Sequence, residues 1–276
     1  MEHESLIRLG FFSGILLVMM LWEFLAPRRP LSVGRSRWIG NLGVTVIGTL
    51  AVRFAAPVLP VALAEVAARR GWGIISQLSL PEWAAIGAGI IALDLVIYIQ
   101  HVMFHALPSL WRLHMMHHAD LDIDTTTGLR FHPLEILISL FIKLGAVALL
   151  GVPAVGVIAF EIILNGMAMF NHGNVRMPLA VDAVLRLFVV TPDMHRVHHS
   201  VVIRETNSNF GFNLSFWDRL FGTYRAQPGA GHLDMTIGVS HLREAKWKNL
   251  FWMLALPFIR RGGAYPLGRY GRGLGK

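Results

Sequence analysis

The chain has 276 residues, 54% of them hydrophobic and only 15% charged, with a formal net charge of +8. A soluble domain carries about 25% charged residues, so the composition speaks against an ordinary cytosolic protein. The absence of Cys excludes disulfides, Fe–S clusters, thiolate-ligated haem and a Cys nucleophile, and leaves metal chemistry to the thirteen His and to carboxylates.

The apolar runs decide what the basic excess is for. A membrane-spanning helix needs about 20 mostly apolar residues. Leu9–Ala26 is the first such run and is followed by Arg28, Arg29, Arg35 and Arg37. It reads as a retained helix with its C-terminal end in the cytoplasm, because the basic cluster follows the apolar core, unlike a cleaved signal. Trp38–Ala68 is interrupted by Arg53, Pro57 and Pro60, which predicts a bent helix or a span plus a short interfacial piece. Trp83–Phe104 carries Asp94 and ends at the first His pair. Leu134–Leu150 and Pro153–Phe170 form a hairpin around Gly151. Leu250–Ile259, flanked by Lys246, Lys248, Arg260 and Arg261, reads as an interfacial or short buried helix. Five spans, or four plus a re-entrant segment, place most Lys and Arg and all the His clusters on the cytoplasmic side. Membrane rather than nucleic acid is therefore the expected partner of the basic residues, and the fold class is an all-α polytopic membrane protein.

Ten of the thirteen His lie between residues 101 and 199. His101 and His105 are spaced i and i+4. His114, His117 and His118 form H-x-x-H-H, and His195, His198 and His199 repeat it. On a helix these spacings share one face, so the clusters can surround a pair of metal ions with nitrogen ligands, and imidazole suits Fe, Zn, Cu and Ni. So many His exceed the needs of a single tetrahedral zinc. His132 and His172 stand alone, while His3, His232 and His241 read as packed or surface residues.

The motifs in order are DLVIYIQHVMFH (Asp94–His105), LWRLHMMHH (Leu110–His118), TGLRFHPLE (Thr127–Glu135), FNHGN (Phe170–Asn174), TPDMHRVHHS (Thr191–Ser200) and NFGFNLSFWDRLFGTY (Asn209–Tyr224). In these the chain resembles the fatty acid hydroxylase/sterol desaturase superfamily of integral-membrane di-iron oxygenases. One departure is Val102, where many members carry Arg. The resemblance implies membrane helices capped by a cytosolic helical lobe that holds a dimetal site of two Fe ions, with Zn as a substitute in overexpressed protein. It adds His132 and His172 to the ligands, giving His101, His105, His114, His117, His118, His132, His172, His195, His198 and His199. It divides the chain into N-terminal transmembrane helices (1–80), a hydroxylase-like catalytic domain (81–230) and a basic C-terminal tail (231–276).

The implied chemistry is O₂-dependent hydroxylation or desaturation of a lipid, with electrons from a separate carrier. Arg186, Arg196, Arg204, Arg219 and Arg225 are the expected docking surface for that carrier. Asp94, Glu161 and Asp193 are the acids assigned to the site, with Asp94 and Glu161 foremost because an acid inside an apolar run is costly and tends to be functional. Asp120 and Glu135 are further candidates to fix the second imidazole nitrogens. Asp122 and Asp124 read as solvated loop residues, and Lys143 as a snorkelling side chain. Two other readings stand against this one. A zinc hydrolase normally shows H-E-x-x-H, and neither cluster has that Glu. A His-rich metal or haem-binding transporter would carry polar sites at mid-depth rather than at one boundary.

Overall fold

The computed structural model describes residues 4–56, 59–260 and 262–267. His3 and Arg261 lie outside them. Among the described residues the chain is helical, with three isolated β-bridges and no β-strand.

The long helices come first. They are α1 (Glu4–Leu25), α2 (Trp38–Ala55), α3 (Pro60–Arg70), the short α4 (Ile74–Gln77), α5 (Glu82–Ala106), α6 (Pro108–His118), α7 (Pro133–Leu150) and α8 (Ala154–Asn171). Short helices follow: α9 (Leu179–Leu185), α10 (Pro192–His198), α11 (Ile203–Thr206), α12 (Phe216–Leu220), α13 (Gly231–Asp234) and finally α14 (Leu250–Ile259). Five stretches are long and apolar enough to cross a membrane: Glu4–Leu25, Gly34–Gln77, Glu82–Ala106, Pro133–Leu150 and Ala154–Asn171. The protein is thus built as an integral membrane protein, and the sides of its long helices are rich in exposed Leu, Ile, Val and Phe.

Proline sets several boundaries. It stands at the first turn of α3, α6, α7 and α10, where its missing N–H costs nothing and its fixed φ suits the helix. The expected bend in Trp38–Ala68 is a break between α2 and α3. The two pieces then pack separately, α2 on α7 and α14, α3 on α7 and α8. The α3–α4 turn meets the α7–α8 turn at two glycines. A Cβ on Gly73 would lie 2.1 Å from the Gly151 nitrogen, and Gly73 and Gly151 have φ of +92° and +69°. Only glycine fits such a left-handed backbone at that approach.

Two large apolar clusters dominate the core. On one side α3, α5, α7 and α8 enclose Val61, Ala64, Leu93, Val147, Val157 and Phe160. On the other, α6, α14 and the tail enclose Trp111, Met115, Met116, Trp247, Met253 and Tyr265. The helix at Leu250–Ile259 is of the short buried kind: Met253 and Leu256 are fully enclosed while Phe251 and Phe258 face out.

Candidate metal centre

Four stretches deliver the imidazoles. The last two turns of α5 carry His101 and His105, α6 carries His114, His117 and His118, the end of α8 delivers His172, and α10 with its C-cap carries His195, His198 and His199. The α10 start is secured by Thr191, whose hydroxyl accepts the Met194 N–H at 3.3 Å, the usual N-cap device.

These nine His form two buried groups. One contains His101, His105, His114, His118 and His198; the other contains His117, His172, His195 and His199. Within each group the available ligand atoms all lie within 4.8 Å of one another. Each H-x-x-H-H is divided between them. The i, i+4 pair His114 and His118 joins the first group and His117 the second, while α10 gives the pair His195 and His199 to the second and His198 to the first. The spacing predicts one shared face, and that face lies over both groups at once.

The hydrogen bonds show what the groups are for. His101 Nδ1 meets the Phe210 carbonyl at 2.8 Å, His198 Nδ1 the Ser208 carbonyl at 2.7 Å, His172 Nδ1 the Ala168 carbonyl at 2.7 Å and His117 Nδ1 the Arg130 carbonyl at 3.2 Å. His114 Nδ1 meets Glu135 Oε1 at 2.6 Å, and His105 Nδ1 meets Asn207 Oδ1 at 3.1 Å. A carbonyl or carboxylate can only accept, so each of these Nδ1 atoms carries the proton and each Nε2 is a bare lone pair.

His101 Nε2 nonetheless lies 3.2 Å from His114 Nε2, and His117 Nε2 lies 3.1 Å from His172 Nε2. Two lone pairs at that distance repel, and neither can donate to the other. The buried Nε2 atoms of His105 and His198 have no hydrogen-bond partner, nor does either ring nitrogen of His118 or His199. Converging lone pairs without donors are the pattern of a cation site, and the partners behind the rings are those that fix imidazole ligands.

Burial favours the neutral form of six of these rings. It pushes His172 and His198 down to about 3. It also holds His117, His118, His195 and His199 well below the usual imidazole range, helped by repulsion among neighbouring His. Neutral imidazole is the form that binds metal. Gly128 permits the close packing here: a Cβ on it would sit 2.2 Å from the Ala168 carbonyl oxygen and 3.1 Å from His172 Nδ1.

His132 stands apart from both groups. It is the N-cap of α7, its Nδ1 accepting the Leu134 N–H at 3.2 Å while Nε2 faces the Leu254 carbonyl at 3.2 Å. With both nitrogens used in this way it has no lone pair for the centre. The three acids assigned to the site brace the helices around it. Asp94 Oδ2 accepts Trp217 Nε1 at 2.9 Å and the Leu214 N–H at 3.1 Å. Glu161 pairs with Lys143 at 2.5 Å and with Arg8 at 2.7 Å. Asp193 pairs with Arg28 and Arg196. Glu135 is the acid that touches a grouped His.

Other expectations need correcting. Lys143 is engaged by Glu161 rather than snorkelling. Asp122 and Asp124 are buried, because Ser32, Val33 and Trp38 supply them with donors and Arg37 with charge. Arg186 and Arg196 are buried against Asp182 and Asp193, so they are no part of a docking surface. His232 is packed, as expected, against Gln227. Sequence reasoning missed the backbone carbonyls that orient four of the rings and the link from Asn207 to His105. Arg37, which is fully buried, was also unrecognised as a brace; its signal was an Arg just ahead of an apolar run with three Asp elsewhere in the chain.

The Fatty acid hydroxylase family pattern matches residues 86–223. This chain belongs to the fatty acid hydroxylase family. All nine grouped His fall within the matched stretch. The chain is 31% identical over 181 residues to ornithine lipid hydroxylase OlsE of Rhizobium tropici, covering 66% of this chain and 52% of that protein. It is 31% identical over 138 residues to alkylglycerol monooxygenase of Homo sapiens (50% of this chain, 30% of that one). Methylsterol monooxygenase 2-2 of Arabidopsis thaliana is 26% identical over 169 residues (60% and 63%). The chain therefore spans less than two thirds of each of these relatives. No solved structure matches it.

Proposed function

We propose that this family member is an iron- and O₂-dependent oxygenase that hydroxylates a membrane lipid, with its site at the cytoplasmic boundary and electrons drawn from a separate carrier. The observation that carries the reading is the double set of buried, donor-less Nε2 lone pairs. Five imidazoles would hold one ion and four the other. When bound, two irons supply the one-electron chemistry that O₂ needs to attack an unactivated C–H bond, which redox-inert zinc does not offer. The chain's own residues do the rest. The carbonyls of residues 130, 168, 208 and 210, with Glu135 and Asn207, hold six rings in their Nδ1–H tautomer and aim Nε2 inward. Complete burial of the rings excludes bulk water, which protects a reactive site from side reactions.

The relatives' names support hydroxylation over desaturation and a membrane lipid as substrate. An external electron source is supported by the lack of any Cys to ligate an Fe–S cluster. The cytoplasmic placement is supported by the Arg residues that follow α1.

The test is metal analysis of protein made with adequate iron, combined with lipidomics of cells with and without the gene. The expected result is two Fe per chain and a hydroxylated lipid whose formation requires O₂ and reductant. His117→Ala and His198→Ala, one from each group, should each abolish product. One metal or none in folded protein, or full activity in either variant, would overturn the reading.

A further inference from the structure

The stretch 179–188, α9 and the turn after it, has its polarity inverted. Leu179, Val181, Val184, Leu187 and Phe188 are all exposed, by 45 to 70%. The two charged side chains among them, Asp182 and Arg186, are turned inward and paired with each other. Polar inside and apolar outside is the pattern of a surface that faces lipid.

A second segment joins it. The Ser215 N–H donates to the Phe188 carbonyl at 3.1 Å, and Arg219 Nη2 donates to the Arg186 carbonyl at 2.8 Å. This sets α12 beside α9, with Leu220 and Phe221 exposed by 65% and 52%. Asp218 is buried under the Phe210 and Gly211 N–H groups. Arg219, the exposed charge of α12, folds back over the Tyr224 ring at 4.2 Å, and the exposed Arg176 precedes α9.

The attachment of α12 to α5 gives its depth. Trp217 Nε1 donates to Asp94 at 2.9 Å, and the Phe221 ring stacks on Tyr98 at 5.3 Å. At 1.5 Å per residue, Tyr98 lies about 12 Å and Asp94 about 18 Å along the axis from Ala106. The whole of α5 is about 37 Å long, against a hydrocarbon core of about 30 Å. Even with the surplus of about 7 Å left entirely on the metal-centre side, Tyr98 stands about 5 Å and Asp94 about 11 Å inside the hydrocarbon.

We propose that the joined α9–α12 face is a lipid-embedded wedge, sunk into the leaflet on the metal-centre side, and not part of a water-exposed lobe. Its occupant is the acyl-chain region of the bilayer, because the face continues directly from a membrane-spanning helix at hydrocarbon depth. The same stretch of chain supplies the Ser208 and Phe210 carbonyls that hold His198 and His101. Its inner side thus supports the centre while its crest faces lipid.

The lack of Cys makes the test clean. Val184→Cys and Phe221→Cys are introduced singly into the full chain, labelled with a nitroxide and reconstituted in phosphatidylcholine nanodiscs. Collision rates are read with O₂, which partitions into lipid, and with a nickel chelate, which stays in water. Leu17→Cys on α1 is the lipid reference and Glu244→Cys the water reference. The expected O₂-to-nickel ratio at 184 and 221 matches the α1 reference and exceeds the Glu244 site about tenfold. A ratio equal to that of the Glu244 site overturns the proposal. Low collision rates with both probes also overturn it, and assign the face to a second copy of the chain or another protein. Leu187→Cys reads the same surface should Val184→Cys fail to fold.

Discussion

Two histidines lie near Glu135, His114 in space and His132 in sequence, and their nitrogens are engaged differently. His114 donates Nδ1–H to the buried Glu135 carboxylate at 2.6 Å, and a charged acceptor makes the opposite nitrogen a better donor to metal. His132 uses its own nitrogen to cap α7. Glu135→Gln should lower metal affinity about 10- to 100-fold, the usual cost of losing such a partner. His132→Ala should leave two metals per chain and lower stability by only about 1 kcal/mol, the worth of an N-cap. Metal content after graded chelation, with thermal unfolding of the same samples, separates the two outcomes. Acid acts at this scale too. Burial sets His172 and His198 near 3 rather than the ordinary 6.5. The unfolded chain takes up those protons below about 6.5, whereas the native chain refuses them until about 3. Unfolding therefore gains protons across that window, and native stability falls as pH falls through it. Thermal unfolding of the metal-free protein between about pH 7.5 and 5 should show the loss beginning below about 6.5.

Among the elements, the C-terminal segment has a reach that its sequence hides. The Tyr265 ring stacks on Trp111 at 5.6 Å, and its hydroxyl donates to the Val201 carbonyl and accepts the Ser240 N–H. Its carbonyl accepts from Asn207 at 2.7 Å, and Asn207 in turn holds His105. The tail thereby closes over α6 and the five-His group. Tyr265→Ala should cost roughly 3–5 kcal/mol, as deletion of a buried aromatic does. It should also release the metal of the five-His group first, leaving about one per chain under a chelator that removes none from the unaltered protein. The contrast with the helices shows what a sequence displays. The five apolar stretches and the His triplets were legible because each depends on spacing along one segment. The wedge, the tail closure and the carbonyls behind the rings were not, because each depends on which segments meet. His132 shows the same limit: it occupies a family His position, and only the structure reveals the approach of Leu254 and the start of α7 that engage its two nitrogens.

Across the whole molecule, the parts outside the family match are tied to the centre by Arg37. Its guanidinium bonds Asp120 at 2.5 Å, Asp124 and Thr127, and Asn41 reaches Asp120, Thr126 and Arg130. Arg130 continues the chain of contacts to the Met116 and Trp247 carbonyls, and its own carbonyl holds His117. Burial alone would raise Asp120, yet Arg37 and Arg130 hold it below the usual carboxylate range. Removing Arg37 leaves buried carboxylates uncompensated, a loss of about 3–5 kcal/mol for a broken buried pair. Arg37→Ala should therefore unfold at markedly lower temperature and lose metal from the four-His group, to which His117 belongs. Since the network joins the start of α2, the loop after α6 and the approach to α14, the loss should appear as one cooperative shift of the entire chain. A separate early transition of α1–α3, with both metals retained, would show instead that the N-terminal helices stand on their own.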